Sequence, residues 1–90
     1  MTGDERQTQL SRIFATTIED DESARRAIAA RPGDFASALF AEAAASDDVT
    51  STESARGYLD LRLAYFDGLV DSSAEPAIRA AFEAELKAWA

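Results

Sequence analysis

The stretch GYLDLRLAYFDGLV, residues 57–70, holds the densest group of large apolar side chains in the chain. On a helix these side chains cover most of the circumference: Tyr58, Leu59, Leu61, Leu63, Tyr65, Phe66, Leu69 and Val70. The polar stripe is narrow and contains Arg56, Asp60, Asp67 and Asp71, with Ala64 between them. A helix that is apolar nearly all round is buried on several sides. We therefore predict a helix from about Ser51 to Val70 that is the central post of a bundle or also faces a second copy of the chain.

The segments on either side of this stretch carry apolar side chains at the spacing of amphipathic helices. Before it the stripe is Leu10, Ile13, Phe14, Thr17 and Ile18, and at the end of the chain it is Ile78, Ala81, Phe82, Leu86 and Trp89. This spacing places each set on one buried helix face. We predict a first helix over about 5–19 and a last helix that reaches Trp89.

Capping residues and turn signals set boundaries between these helices. Asp20 or Asp21 is suited to cap a second helix over about 22–30, since a short oxygen-bearing side chain can accept from the first free backbone N–H groups. Pro32-Gly33 is a strong turn signal. We therefore expect a third helix after this turn, with Asp34 as its N-cap.

Thr50 and Glu53 have the spacing of a capping box and predict the start of the fourth helix. The last helix contains two pairs of opposite charge at i and i+4, in the order that stabilises a helix: Glu75 with Arg79, and Glu83 with Lys87.

The composition agrees with a helical fold. Much of the 47% hydrophobic content is alanine, the strongest helix former, whereas valine is nearly absent and isoleucine is sparse. We predict an all-α, compact bundle of four to five helices joined by short loops. At 90 residues the chain is a single domain, residues 1–90, in which residues 1–8 are expected to fray.

The charge of the chain restricts its partners. The formal net charge is -8, and the only adjacent basic residues are Arg25 and Arg26. Binding to nucleic acid requires a basic surface that displaces phosphate counterions, so we expect no nucleic-acid partner. We also expect no membrane partner, because the chain has neither an apolar run of about 20 residues nor a basic surface for anionic lipid. A protein partner, one with a basic surface in particular, suits this charge. The first residues do not form a secretory signal, so we expect a cytoplasmic location.

The side chains that most often carry catalysis or bind metals are missing. The sequence contains no histidine and no cysteine. Thiolate nucleophiles, zinc–thiolate sites and the Glu-x-x-His pairs of di-iron bundles are thereby excluded. The acidic runs lack the spacing and the glycine of a calcium loop, and none of the glycines belongs to a loop that cradles phosphate. We expect no catalytic, cofactor-binding or metal-binding residues, no cofactor, and no enzymatic activity.

The aromatic side chains are the remaining candidates for a functional site. Tyr58, Tyr65 and Phe66 either pack in the core or line a small-ligand pocket between helices, and their helical spacing favours the core. Trp89 either closes the end of the core or anchors an interface, since aromatic residues are enriched at interface centres. We take Tyr58, Tyr65, Phe66 and Trp89 as candidate interface residues.

One set of positions spread over about 10–55 carries a further pattern. These positions are Phe14, Asp21, Arg25-Arg26-Ala27-Ile28, Asp34-Phe35, Leu39-Phe40-Ala41-Glu42-Ala43-Ala44, Val49-Thr50 and Glu53. The stretch resembles the nitrogen-fixation-type leader-peptide family, found at the front of ribosomally made natural-product precursors. The resemblance implies a fold and a role in being recognised by a larger enzyme.

This chain departs from that family in ways that affect what the resemblance implies. It has Ser46-Asp47 where such leaders carry a glycine after the alanine-rich helix, and it has no double-glycine cleavage site. Its C-terminal part is predicted to form two amphipathic helices rather than a core peptide rich in Cys, Ser or Thr. The resemblance therefore does not imply that the chain is a precursor.

Three functions remain open on the sequence. The favoured one is a non-catalytic protein-interaction module, such as an accessory, adaptor or regulatory subunit. The second is an acidic inhibitor or nucleic-acid mimic that occupies a basic groove on its target, and the third is a small-ligand carrier with a pocket beside Tyr58 and Tyr65. We also predict a two-fold homodimer through the fourth and last helices, with Trp89 in the interface.

Overall fold

The computed structural model describes residues 2–89. In that range the regular secondary structure is entirely α-helical. The helices are α1 (Thr2–Phe14), α2 (Asp21–Ala30), α3 (Pro32–Ala45), α4 (Thr52–Tyr65) and α5 (Glu75–Trp89). This confirms the all-α class and the predicted number of helices. The radius of gyration is 12.6 Å, close to the roughly 12 Å of a compact domain of this length. Within residues 2–89, none of the helices has both the length and the apolar content needed to cross a bilayer.

The central helix of the bundle is α3, which packs against each of the other four helices. Its buried side chains alternate between large and small, in the order Phe35, Ala36, Leu39 and Ala43. The alanines let neighbouring helices approach closely, while Phe35 and Leu39 fill the space between them. Of the two alternatives predicted for the fourth helix, the central post is therefore wrong: α4 packs mainly against α3 and leaves Leu61 in solvent.

Three phenylalanine rings connect α1, α3 and the turn after α4 at the middle of the core. Phe14 stacks on Phe35 with ring centroids 6.2 Å apart, and Phe35 meets Phe66 edge-on at 5.4 Å. Each ring is at most 2% exposed. Offset and edge-on aromatic pairs of this kind add about 0.5–1.5 kcal/mol to the free energy gained by burying the rings.

α4 ends at Tyr65, one turn and more before the predicted end at Val70. The chain then turns, with Gly68 at φ +86°, a left-handed conformation that glycine adopts without a steric cost. The turn directs Phe66 and Leu69 back into the core, where both are buried. The apolar circumference expected for the fourth helix is therefore divided between a shorter helix and this turn.

The residues expected to fray, 1–8, form the start of α1, apart from Met1, which lies outside the described residues. Arg6 anchors this part of α1, because its Nη1 donates to the carbonyl oxygens of Tyr65 at 3.0 Å and Asp67 at 3.2 Å. These carbonyls lie at and beyond the end of α4, where unpaired oxygens carry a partial negative charge that a guanidinium group neutralises.

α1 also ends earlier than predicted, because the residue after Phe14 adopts a left-handed conformation that a helix cannot continue. Ala15 has φ +53°, and the Thr16 N–H donates to the carbonyl oxygen of Ser11 at 3.2 Å. The chain leaves the helix here, yet Ile18 remains buried. Its position is held by its own N–H, which donates to Ser11 Oγ at 3.0 Å.

Asp20 is the N-cap of α2, as one of the two predicted alternatives has it, and its Oδ1 accepts from the Ser23 N–H at 2.7 Å. Asp34 is not the N-cap of α3. That helix begins at Pro32, since proline at the first helical position has its φ already set and lacks only an N–H that would be unpaired there. Asp34 lies in the first turn and pairs with Arg31 at 2.7 Å.

Candidate functional site

An open groove of about 740 Å³ runs along α4. It is lined by Ser46, Asp48, Val49, Ser54, Gly57, Tyr58, Asp60 and Leu61. We call it the α4 groove. Val49, Tyr58 and Leu61 supply its apolar surface, while Asp48 and Asp60 supply negative charge.

The loop between α3 and α4 forms one wall of the groove. Its backbone is held by two hydrogen bonds, from the Ser46 N–H to the Ala43 carbonyl oxygen at 3.0 Å and from the Val49 N–H to the Ser46 carbonyl oxygen at 3.2 Å. The Val49 side chain is only 8% exposed and anchors the loop to the core. The wall therefore belongs to the folded domain and is not a loose loop.

The N-terminus of α4 is held by a capping box formed by two serines. Ser51 Oγ accepts from the Ser54 N–H at 3.1 Å, and Ser54 Oγ accepts from the Ser51 N–H at 2.9 Å. The predicted pair, Thr50 and Glu53, lies one residue earlier at each position. Serine serves here because its hydroxyl reaches the same N–H that a glutamate would reach at the third helical position.

Gly57 and Leu61 lie one helical turn apart on the groove face of α4. Leu61 is 72% exposed, although it is a large apolar side chain. A Cβ atom on Gly57 would meet nothing within 4 Å, so no packing in the domain requires a glycine there. Glycine inside a helix costs about 1 kcal/mol relative to alanine. This face of α4 is therefore more open and more apolar than folding requires.

Tyr58 joins the groove to α3. Its hydroxyl donates to Glu42 Oε1 at 3.1 Å. Burial raises the pKa of Tyr58, and the hydrogen bond to the Glu42 carboxylate raises it further, because the ionised phenol would lose that bond and repel the carboxylate. The hydroxyl therefore stays protonated at neutral pH and keeps the ring in place beside the groove.

Arg62 fixes the rotation of α4 about its own axis. Its Nη2 donates to Gln9 Oε1 at 2.7 Å and lies 3.7 Å from Glu42 Oε1. The guanidinium carbon lies 4.7 Å from the ring centroid of Tyr65 and 5.2 Å from that of Phe66, which is the range of cation–π contacts. Its Nε is buried and has no hydrogen-bond partner among the atoms that the structure describes. These contacts hold one face of α4 inward and leave the groove face outward.

Two ion pairs join α4 to α5. Arg56 Nε and Nη2 donate to the two carboxylate oxygens of Glu83 at 2.7 and 2.9 Å, and Arg79 Nη1 donates to Asp60 Oδ1 at 2.9 Å. Arg56 lowers the pKa of Glu83 through these hydrogen bonds. The bidentate pair replaces the predicted pairing of Glu83 with the lysine one turn later, whereas the predicted pair of Arg79 with the glutamate one turn earlier is formed at 3.0 Å. Exposed pairs stabilise little, but the bidentate geometry orients α4.

The four candidate interface residues lie in different environments in the structure. Tyr58 lines the α4 groove, whereas Phe66 is fully buried and is therefore a core residue. Tyr65 is half-buried and packs edge-on against Phe66 at 5.0 Å. Trp89 is 39% exposed and packs edge-on against Phe40 at 5.9 Å. Trp89 therefore has a packing partner within the domain.

Val49, Gly57 and Leu61 contribute to the groove and are not among the candidate interface residues. The sequence places Leu61 among the apolar side chains of a fourth helix that is predicted to be buried on several sides. A glycine inside the fourth predicted helix was the one available signal. It showed that a side chain is missing there but not on which face.

Acidic side chains surround the groove. Asp47, Asp48 and Glu53 form no ion pair with another described residue. Among residues 5–89, whose side chains the structure describes, no three His, Cys, Asp or Glu side chains lie close enough together to hold a metal ion. An apolar surface bordered by unpaired carboxylates can bind a large apolar side chain that is flanked by positive charge.

Comparison with known proteins finds no relative of this chain. No protein-family model matches the chain, and neither the search of curated proteins nor that of solved structures finds a match. The resemblance of residues 10–55 to the leader-peptide family therefore stays a prediction, and the geometry of the α4 groove carries the functional argument by itself.

Proposed function

We propose that this chain is a cytoplasmic, non-catalytic protein-interaction module that acts as an accessory, adaptor or regulatory subunit. The observation that carries the proposal is Leu61, a leucine 72% exposed on a helix face that also lacks a side chain at Gly57. A single exposed leucine is ordinary, but one beside an open groove with Val49 and Tyr58 forms a connected apolar surface. Binding a partner would remove that surface from water.

The openness of the groove favours a protein partner over a small ligand. A carrier holds its ligand in a concave pocket that buries most of the ligand surface. The α4 groove is open to solvent along α4, so a small molecule there would stay largely hydrated. A side chain of a folded partner would be removed from water more completely than a small molecule, because the partner covers the rest of the groove.

The experiment is capture of partners from native lysate by the immobilised domain, with two variants run beside it. Leu61→Gln replaces the exposed leucine with a polar side chain, and Ala84→Gln places the same side chain on an exposed position of α5 outside the groove. We expect a protein that the wild type and Ala84→Gln retain and that Leu61→Gln releases. The proposal fails if the wild type retains no protein beyond those held by the urea-unfolded chain.

The acidic inhibitor or nucleic-acid mimic is the second candidate, and the exposed carboxylates of two loops and of the first residue of α2 favour it. Glu19, Asp20, Asp21, Asp47 and Asp48 are all exposed, and none forms an ion pair with another described residue. A mimic binds its basic target mainly through charge, so its affinity falls steeply as salt is raised. A captured partner that stays bound at high salt would rule out the mimic and support the module.

A two-fold homodimer that forms through α4 and α5 is a further candidate. Its support is Trp89, which keeps 39% of its surface exposed. Two copies would each bring a net charge of -8 to the contact, and screening over about 8 Å at physiological salt only partly removes that repulsion. Analytical ultracentrifugation at micromolar concentration tests it: a dimer that Trp89→Ala dissociates would support this arrangement, and a monomer would exclude it.

A further inference from the structure

We infer that the α4 groove binds a basic amphipathic helix of a partner protein, with one large apolar side chain of that helix seated over Gly57. The inference rests on the proposed function, since it assumes that the chain binds a protein. It adds the location of the contact, the secondary structure of the bound segment and the charge of that segment.

The shape of the groove face fits a helix. Ser54, Gly57 and Leu61 lie at i, i+3 and i+7 of α4 and so form one stripe along it. A serine and a glycine followed by a leucine leave a depression with an apolar end. Helices pack by placing a side chain of one into such a depression of the other, at axial distances of about 8–10 Å. The missing side chain at Gly57 provides the space.

The hydrogen-bonding requirement of the partner backbone favours a helix over an extended strand in the groove. An extended peptide gains affinity chiefly by adding to the edge of a sheet, and residues 2–89 contain no strand. The backbone groups of an extended segment that face Val49 and Leu61 would lose water without gaining hydrogen-bond partners, which is costly. A helix forms its backbone hydrogen bonds internally and offers only side chains to the groove.

The charge around the groove favours a bound segment that is positively charged. Asp48 lines the groove, and Asp47 and Glu53 adjoin lining residues, while none of the three forms an ion pair with a described cation. Lysine or arginine beside the seated apolar side chain would lie against these carboxylates. A second copy of this chain would bring further acidic groups to the same place, so a basic segment fits the groove better than a second copy does.

The probe is a fluorescein-labelled synthetic peptide of lysine and leucine that forms an amphipathic helix of about four turns, matched to the 14 residues of α4. Its binding to the full chain is followed by fluorescence anisotropy. Gly57→Gln fills the groove with a side chain that also favours the helix, and Ala84→Gln is the matched control outside the groove. We expect Gly57→Gln to weaken binding by about tenfold or more and Ala84→Gln to change it by less than about twofold, since tenfold corresponds to losing one well-packed contact.

A second pair of variants separates the groove from the overall charge of the chain. Asp48→Asn and Asp21→Asn remove the same charge, but only Asp48 lines the groove. We expect Asp48→Asn to weaken peptide binding more than Asp21→Asn. Equal weakening by the two variants, or binding that Gly57→Gln leaves unchanged, would show general attraction to an acidic surface and overturn the inference.

Circular dichroism of each variant confirms folding, and Leu61→Gln replaces Gly57→Gln if that variant does not fold. Absence of peptide binding overturns the inference, and so does a wild-type dimer that Gly57→Gln dissociates, because the groove would then hold a second copy. The proposed function fails separately, if the wild type captures no protein. If a captured protein is retained equally by Gly57→Gln, the chain is an interaction module whose contact surface lies elsewhere.

Discussion

The same substitution at two leucines measures which helix carries the core. Leu39 on α3 is fully buried, whereas Leu61 on α4 is 72% exposed. Leu39→Ala removes three buried carbon atoms, and at about 0.8 kcal/mol for each the lost transfer free energy is about 2.4 kcal/mol. A cavity that does not collapse raises the total to as much as about 5 kcal/mol. Leu61→Ala should change the free energy of unfolding by less than about 0.5 kcal/mol.

Urea unfolding followed by far-UV circular dichroism tests the pair. At low micromolar protein concentration the urea concentration at the unfolding midpoint should fall strongly for Leu39→Ala and stay unchanged for Leu61→Ala. The slope of the unfolding free energy against urea concentration should be the same in both variants. The corresponding fall in Tm for Leu39→Ala is about 10 °C or more for a domain of this size. Equal losses would refute the placement of α3 at the centre. A loss for Leu61→Ala that grows with protein concentration would instead show a dimer through α4.

Four further changes have expected outcomes. Ala15→Gly should stabilise the domain by about 1 kcal/mol, because alanine at φ +53° is strained and glycine is not; an unchanged or lower Tm would contradict this. Gly57→Ala should raise the free energy of unfolding by about 0.5–1 kcal/mol in urea titrations, since it improves helix propensity without a clash. Ser51→Ala should lower it by about 1 kcal/mol through loss of the N-cap of α4, whereas an equal substitution at exposed Ser37 should have little effect. The hydrogen bond from the Ser23 backbone lowers the pKa of Asp20 from 3.8, so the folded state favours the carboxylate; its contribution is present above that pH and is lost as the pH falls through the lower folded value. The stability difference between wild type and Asp20→Asn, which keeps a cap oxygen, should therefore change between about pH 7 and pH 3; a constant difference would refute the assignment.

Helix content and most helix locations could be read from the sequence, because apolar spacing and alanine abundance are local properties. Asp20 as a cap also follows from a local rule. Boundaries were harder to predict. α4 was expected to reach Val70, but the left-handed turn at Gly68 and the burial of Phe66 end it earlier. An apolar residue that continues the helical spacing can enter the core from a turn as readily as from the helix.

Of the four candidate interface residues, only Tyr58 lines the α4 groove. A large apolar residue is recognised from sequence, but its exposure depends on what the rest of the chain places beside it. Phe66 reaches the core through the turn after α4, and Trp89 finds Phe40 on α3. Leu61 has the same composition and spacing as its buried neighbours and is left outside.

The sequence by itself determined the all-α class, the four to five helical segments, the negative net charge and the lack of histidine and cysteine chemistry. Each of these depends on residue type or on neighbours within one or two helical turns. Only the tertiary structure decided that α3 lies at the centre and that α4 keeps an open face. Those outcomes depend on contacts between residues far apart in the chain, such as Arg62 with Gln9 and Arg56 with Glu83. The rotation of α4 set by these contacts places Leu61 and Gly57 in solvent, and hydrophobic spacing along one helix does not contain that information.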